Sequence, residues 1–161
     1  MESRSHPAET LRPVTPGDIP FLLEVYASTR AAELSLTDWS DEQKSAFCRS
    51  QFEAQDTHYK KHYPTAEYHI VEVGGVRAGR LYIDRWFREI RIMDIALLPA
   101  HRGKGTGSRL LSRLMEEAAL SQRCLSIHVE RYNPALQLYQ RLGFVLKEDK
   151  GVYLLMEWNP S

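Results

Sequence analysis

The sequence predicts an α/β fold, an α+β arrangement around one mixed sheet, and two features carry that prediction. Alternating apolar and polar residues on either side of Gly74-Gly75 are typical of an antiparallel hairpin. Further along, a mostly apolar run over 89–98 is followed by a glycine-rich turn, an amphipathic stretch over 108–120 and another strand pattern. Together these indicate a strand–helix–strand unit. We expect a central mixed sheet with helices on both faces.

The first third of the chain predicts one strand and two helices. Leu11–Val14 is a short strand pattern. Thr15 or Asp18 can cap a helix that ends near Arg30, because a short polar side chain accepts hydrogen bonds from the unpaired N–H groups at a helix start. A second helix, with its larger apolar residues near one face, is expected over Asp41–Tyr63.

The remaining residues predict six strands and two helices, so the complete order is β-α-α-β-β-β-α-β-α-β-β. The third of these strands is mostly apolar and is therefore expected at the centre of the sheet. Gly143 ends the last helix. The predicted strands are Tyr68–Val73, Val76–Asp84, Glu89–Leu98, Leu125–Val129, Phe144–Lys147 and Tyr153–Trp158, and the helices are 108–120 and Ala135–Leu142.

Length and charge restrict the classes of protein to which this chain can belong. With 161 residues the chain fits one domain, which we place at 10–161 after a flexible segment at 1–9. Lys and Arg number 21 and so do Asp and Glu, and this zero net charge argues against nucleic acid or an anionic membrane as partner. No apolar run approaches the roughly 20 residues that span a bilayer. The first residues lack the apolar core of a signal peptide.

The cysteines and histidines predict neither a disulfide framework nor a metal site. Only Cys48 and Cys124 are present, without metal-ligand spacing, and the six histidines are scattered. A reducing compartment is the default for such a chain. We therefore predict a cytoplasmic protein that uses no metal.

The stretch Arg102–Gly107 places three glycines between a strand and a helix. Glycine permits backbone dihedral angles closed to other residues, and the start of the following helix offers unpaired N–H groups and a favourable dipole to an anion. Arg102 and Lys104 add positive charge. The spacing fits neither the G-x-x-x-x-G-K-[ST] loop of nucleoside triphosphatases nor the dinucleotide fingerprint G-x-G-x-x-G. The turn predicts a site for another kind of phosphorylated ligand.

Two motifs resemble those of the GNAT superfamily of N-acyltransferases. Leu97–Gly107 is similar to that family's acyl-CoA pyrophosphate loop, V-x-P-x-x-R-G-x-G-x-G, with leucine in place of the common valine. Asn133–Phe144 is similar to its second motif, which carries Asn, Ala, Tyr and Gly-Phe after the fifth strand. The resemblance covers Tyr68–Trp158 well, whereas residues 10–65 share only the β-α-α layout.

The resemblance implies a GNAT-like fold and acetyl-CoA as the acyl donor, from which an acetyl group passes directly to a primary amine. Backbone N–H groups of the loop would hold the pyrophosphate, and the exposed backbone of the preceding strand would pair with the pantetheine arm. The cofactor-binding residues implied in this way are Ile95, Ala96, Leu97, Arg102, Gly103, Lys104, Gly105, Thr106, Gly107, Ser108, Asn133 and Tyr139.

Tyr139 is also the predicted general acid. Attack of an amine on a thioester expels a thiolate, and a nearby phenol can protonate it, since the ordinary tyrosine pKa of about 10 lies above the thiol's of about 8.5. The N–H of Leu97 or a neighbour would stabilise the charge that develops on the thioester oxygen. A packed aromatic side chain on a short helix is the alternative interpretation of Tyr139.

The proton acceptor is harder to assign. Many family members carry Glu before Asp on the fourth strand, where this chain has Met93 and Asp94, and methionine accepts no proton. If the Met93 face looks into the acceptor site, Glu89 is the nearest acid on that face, because side chains alternate along a strand. A solvated surface acid is the alternative for Glu89, and Asp94 is expected in a structural hydrogen bond. His128, Glu130 and water are further candidates.

The acceptor site is expected between the first two helices and the hairpin. Its predicted contacts are Phe52, Gln55, Tyr59 and Tyr82, a set that suits an amine with an apolar body. The same aromatic residues can instead form the buried stripe of a helix. We predict a small-molecule amine as partner, with no nucleic acid and no membrane. Alternatives are a protein or peptide amine and a non-catalytic acyl-CoA-binding regulatory module. Family members are often homodimers.

Overall fold

The computed structural model describes residues 8–161, and the strands and helices follow in the predicted order. The predicted α/β fold with a mixed sheet is confirmed. Two short 3₁₀ turns, Pro16–Asp18 and Pro99–His101, accompany the main elements. The strands and α-helices are β1 Glu9–Pro13, α1 Ile19–Leu34, α2 Asp41–His62, β2 Glu67–Val73, β3 Val76–Arg85, β4 Glu89–Leu97, α3 Thr106–Leu120, β5 Cys124–Glu130, α4 Leu136–Arg141, β6 Val145–Asp149 and β7 Tyr153–Trp158.

The sheet has the order β1-β2-β3-β4-β5-β7-β6, with the apolar β4 at its centre as its composition predicts. β1 lies at an edge, where Pro13 ends the strand and its missing N–H costs no ladder hydrogen bond. β4 and β5 run parallel, whereas β1–β2, β5–β7 and β6–β7 are antiparallel. Of these four pairings, β4–β5 is the parallel one, and it lies beside the centre of the sheet.

The chain forms two compact units. The first contains the described residues up to Leu81 together with Ala96–Arg102, and the second contains Tyr82–Ile95 and Gly103–Ser161. Of the predicted flexible segment 1–9, residues 1–7 lie outside the described residues, and Glu9 opens β1. The single domain over 10–161 stays a prediction.

Polar caps start both helices of the first unit. Thr15 N–H and the Asp18 carboxylate pair at 2.8 Å just before α1, which continues past its predicted end to Leu34. Ser40 and Gln43 cap α2 reciprocally, at 2.8 and 3.1 Å, and so satisfy two otherwise unpaired N–H groups. The core of this unit consists of Phe21, Leu22, Val25, Tyr26, Leu34, Cys48, Phe52 and Ile70.

The second unit is organised around α3. One apolar stripe of this helix is buried and lies against β5. Arg85, at the end of β3, holds Glu117 of α3 through Nε at 2.6 Å. Among residues 8–161, no helix is both long enough and apolar enough to cross a membrane. The buried residues of the α3 stripe are Leu110, Leu111, Leu114 and Ala118.

Candidate active site

The loop before α3 has the backbone geometry that its glycines predict. Gly103 and Gly105 have φ angles of 72° and 80°, in the left-handed region. A Cβ atom added at Gly103 or Gly107 would meet no atom within 4 Å, so the loop is open at both positions. α3 begins directly after Gly105, and a hydrogen bond from Arg109 N to Gly105 O at 2.9 Å closes its first turn. The N–H groups that precede Arg109 in this turn have no intrahelical acceptor and can bind an anion.

Arg109, in the first turn of α3, is a basic residue beside this loop that the sequence motif did not identify as part of the site. Its Nη1 donates to Lys104 O at 3.1 Å and its Nη2 to Thr106 Oγ1 at 3.3 Å. The guanidinium therefore lies beside the glycine turn, 2.7 Å from where a Gly105 Cβ would be. A cation in the first turn of a helix opposes the helix dipole. That unfavourable placement is the sequence signal from which an anion partner could have been inferred.

Arg102 and the end of β4 belong to the first unit. Arg102 Nε donates to Leu97 O at 2.8 Å, so the side chain turns back onto the strand end. A Cβ at Gly79 would lie 2.1 Å from Ala96 O, so only glycine permits the chain to approach this closely. Sequence reasoning did not identify Gly79. Cofactor contacts of Ala96, Leu97 and Arg102 stay predictions.

β4 and β5 are paired over their first halves only. Their parallel register runs from Glu89–Cys124 to Ile92–Ile127 and ends there, although both strands continue. The parallel ladder between the two strands therefore stops before Met93. A strand edge that no neighbouring strand covers can bind an extended, amide-containing ligand as an added strand does. The resemblance implied exposed strand backbone of this kind as the binding place of the pantetheine arm.

Tyr139 lies on α4 with 4% of its surface exposed, and its ring contacts Phe144 at a centroid distance of 5.8 Å. Burial, and secondarily the charge of Asp94, raises the pKa of the phenol far above its usual value of 10. The hydroxyl therefore carries its proton at neutral pH. These properties suit a proton donor, and the catalytic role stays a prediction.

Asn133 caps the turn before α4. Its Oδ1 accepts from Ala135 N at 2.8 Å, and its own N–H donates to Glu130 O at 2.9 Å. The side chain is exposed at the surface. Such a cap satisfies an N–H that would otherwise be unpaired at the start of the helix. The cofactor contact of Asn133 that the resemblance implies stays a prediction.

The Met93 face of β4 carries a polar cluster. Glu89 Oε2 accepts from Arg91 Nη2 at 2.9 Å and from Ser126 Oγ at 2.5 Å, and Arg91 Nε donates to Ser126 Oγ at 2.8 Å. Two donors occupy both lone pairs of Oε2, so a proton can reach this carboxylate only at Oε1 or by displacing a donor. Glu89 as the proton acceptor stays a prediction. Met93 itself is buried, at 8% exposure.

His128 extends the same cluster along β5. Its Nδ1 lies 3.3 Å from Arg91 Nη1, and its Nε2 lies 3.2 Å from Lys150 Nζ. Burial, followed by the charges of Arg91 and Lys150, lowers the pKa of the imidazole from 6.5. The ring is therefore neutral at pH 7.

A possible metal-ligand trio adjoins this cluster. One ligand atom each of Glu89, Cys124 and Glu157 lie within 4.8 Å of one another. Glu157 already holds Lys147 Nζ at 2.6 Å, and Glu89 holds Arg91. Burial and the neighbouring carboxylates raise the pKa of the Cys124 thiol, so its sulfur is not the thiolate that metals bind. The ion pairs account for this grouping, and the metal-free site stays a prediction.

The four predicted acceptor contacts differ in burial. Phe52 is 4% exposed and forms part of the core of the first unit, as expected for the buried stripe of a helix. Gln55 Oε1 accepts from the buried Arg80 Nη2 at 2.8 Å. Tyr59 is half-buried, and Tyr82, in the second unit, is 2% exposed. A role for these four residues in acceptor binding stays a prediction.

A glycine loop at the start of a helix, beside a parallel strand pair that parts, defines the architecture of an acyl-CoA site. Sequence comparison identifies the family. The profile described as Acetyltransferase (GNAT) domain matches residues 64–146, more than half of the chain. The chain belongs to the GNAT family of acetyltransferases. The predicted class, an acyl-CoA-dependent N-acyltransferase, is confirmed at the level of the family.

One curated relative is L-amino acid N-acyltransferase MnaT of Escherichia coli K12, which is 36% identical over 84 residues. The match covers 48% of this chain and 49% of the relative, so the chain spans about half the length of the relative that it matches.

Solved structures share the fold at low sequence identity. PaiA N-acetyltransferase from Thermoplasma acidophilum, solved in complex with coenzyme A, is 16% identical with a TM-score of 0.71, over 94% of this chain and 99% of that one. A GNAT acetyltransferase from Elizabethkingia anophelis with acetyl-CoA bound is 19% identical with a TM-score of 0.60, over 94% and 97%. These likenesses establish the fold.

Proposed function

We propose that this protein transfers an acetyl group from acetyl-CoA directly to a primary amine of a small molecule. The open glycine loop at the start of α3 carries the proposal, since Gly103 and Gly107 leave room for the pyrophosphate beside the N–H groups of the first turn of α3. Arg109 and Lys104 supply positive charge there. No acyl-enzyme is needed. We place the reaction in the cytoplasm, with a homodimer as the expected assembly.

In the proposed reaction the amine nitrogen attacks the thioester carbon, the C–S bond breaks, and CoA leaves as a thiol after taking a proton from Tyr139. The nitrogen then loses its second proton as the amide forms, and this proton restores the Tyr139 phenol. The raised pKa of Tyr139 keeps that proton in place until the thiolate forms. Glu89, through Oε1, is the candidate that accepts the proton of the incoming ammonium ion. Both groups lie in the second unit.

A small-molecule acceptor is favoured over a protein or peptide amine. The printed name of the curated relative specifies L-amino acids, which are small amines. Of the aromatic residues predicted for the acceptor side, Tyr59 is half-buried and can contact an amine with an apolar body, whereas Phe52 and Tyr82 are buried. A groove that accepts a peptide would favour the alternative.

The test is acetyl-CoA binding and CoA release by Gly105→Glu. A glutamate there fills the loop with a negative side chain, so we expect acetyl-CoA affinity to fall by at least about 100-fold, and turnover with it. Gly75→Glu is the control for the left-handed backbone, because Gly75 has the same φ of 80° in the β2–β3 hairpin, where an added Cβ would meet no atom within 4 Å. Normal binding by the Gly105→Glu variant would refute the cofactor assignment.

A non-catalytic acyl-CoA-binding module is the second candidate, and Met93 is the observation that favours it. Methionine occupies the position at which many family members carry a glutamate that can accept a proton. The two candidates are separated by CoA release with a panel of primary amines and by Tyr139→Phe. For an enzyme we expect kcat to fall by about 100-fold in that variant while acetyl-CoA binding is retained. Binding without turnover in the wild type would favour the module.

A further inference from the structure

Two histidines share one face of α2 near its end. His58 and His62 are four residues apart, and on an α-helix this spacing turns a side chain by only about 40° and moves it along the axis by about 6 Å. Their imidazole rings lie with centroids 4.4 Å apart and planes inclined at 45°. Both side chains are exposed. The helix therefore presents two imidazoles to solvent at one place, although the histidines are scattered along the sequence.

This arrangement suits a metal ion. A neutral imidazole keeps a lone pair on one nitrogen, and imidazole is a ligand of zinc, copper and nickel. Two nitrogens that bind one tetrahedral zinc ion at about 2.0–2.1 Å lie about 3.4 Å apart, which rings at this separation can reach by rotation of their side chains. Histidines at i and i+4 on one helix face also hold zinc in the H-E-x-x-H motif. This chain lacks the glutamate of that motif, so the pair suits binding and not catalysis.

The charges near the pair are consistent with a bound cation. His62 is the last residue of α2, and the end of a helix carries the negative end of its dipole. Lys60 Nζ is held by Asp56 Oδ2 at 2.9 Å, and the helical period places both of these residues on the side of α2 away from His58. Lys61 flanks the histidines and opposes a cation, but it is exposed and solvent screens its charge.

We propose that His58 and His62 form a surface site for a divalent transition-metal ion, with zinc or nickel as the fitting ions, and that water completes the coordination. This site is separate from the proposed acetyl transfer and does not depend on it. The ion bridges one helical turn, and the unfolded chain does not hold two imidazoles in this geometry. Binding therefore stabilises the end of α2. The hydrogen bond from Tyr63 N to Tyr59 O at 2.8 Å closes that turn and can report on it.

The first test is calorimetric titration of the tag-free protein with Zn²⁺ and, for comparison, Mg²⁺, which imidazole does not suit. We expect the tightest Zn²⁺ binding to saturate at one ion per chain. His58→Ala and His62→Ala should each weaken it about 100-fold, because either loss removes the second, intramolecular ligand. Both side chains are exposed, so these variants should fold. His101→Ala, at a histidine outside the helices, should bind as the wild type does.

A spacing variant is the matched control. Lys60→His combined with His62→Lys keeps composition and charge but places the two histidines on opposite sides of α2, so it should lose as much affinity as His62→Ala. Zn²⁺ should also slow amide hydrogen exchange of Tyr63 in the wild type and not in this variant. Equal affinity in the two proteins, or unchanged exchange of Tyr63 in the wild type, would overturn the proposal. An equal loss in His6→Ala, at a histidine outside the described residues, would also overturn the two-histidine site.

Discussion

The two units of the molecule hold their buried charges in opposite ways. In the first unit several donors converge on one carboxylate, that of Asp18. Arg12 donates to both of its oxygens at 2.8 Å, Thr15 contributes its N–H at 2.8 Å, and Arg77 reaches it at 3.3 Å. Every lone pair of the carboxylate is thereby used, and the cluster is closed.

In the second unit the cluster of Glu89, Arg91 and Ser126 does not close. Its chain of hydrogen-bonding contacts continues to His128 and ends at Lys150, whose side chain is 41% exposed. A closed cluster has nothing left to offer a ligand and serves stability, whereas an open one has binding capacity that the fold does not use. The difference separates a structural charge group from a candidate functional one, and substitutions in each can test it.

The largest expected effect on stability is that of Asp18→Asn. The side chain of Asp18 is 3% exposed, and loss of its charge removes a counter-ion from Arg77 and leaves Arg12 with Glu72 alone. We expect the free energy of unfolding to fall by about 3 kcal/mol, measured by urea denaturation. Asp149→Asn, at the exposed pair with Arg131, is the control and should leave the denaturation midpoint near that of the wild type. A midpoint for Asp18→Asn as close to the wild type would show that the cluster is not structural.

Glu89→Gln is expected to lower the stability less than Asp18→Asn does and to lower the activity more. The amide keeps an acceptor oxygen for Arg91 and Ser126, and the Glu89 side chain is 21% exposed, so we expect a loss of about 1 kcal/mol. If Glu89 takes the ammonium proton, kcat should fall at least about tenfold, with acetyl-CoA binding unchanged. Glu148→Gln removes an exposed acid nearby and serves as the reference. An unchanged kcat in Glu89→Gln would assign Glu89 to the positioning of Arg91 alone.

The same contrast explains what the sequence could predict. The glycine loop and Tyr139 lie in short motifs whose backbone geometry and spacing are local, so their elements were predicted correctly. The open cluster depends on the register that sets Arg91 beside Ser126, two residues far apart in sequence, and no local pattern specifies that register. Gly79 was missed for the same reason, since its need for glycine arises from Ala96 O, a distant atom.

Acid should reproduce part of the Asp18→Asn effect reversibly. Hydrogen bonds, first from Arg12 and then from Thr15 and Arg77, hold the pKa of Asp18 well below its ordinary value of 3.8. The folded chain therefore binds this proton more weakly than the unfolded chain. The stabilisation is complete above about pH 4 and is lost as the pH falls from there towards the folded pKa.

Urea midpoints measured from neutral pH down to about pH 2.5 should consequently fall more steeply for the wild type than for Asp18→Asn. Other carboxylates titrate in both proteins, so the difference between the two curves isolates Asp18. That difference should shrink on acidification, because protonated Asp18 resembles the amide in charge and shape. It cannot exceed the effect of the substitution itself. If the urea midpoints of the wild type and of Asp18→Asn fell in parallel, Asp18 would not change its charge through this range. The Asp18 cluster would then no longer serve as the example of a closed cluster.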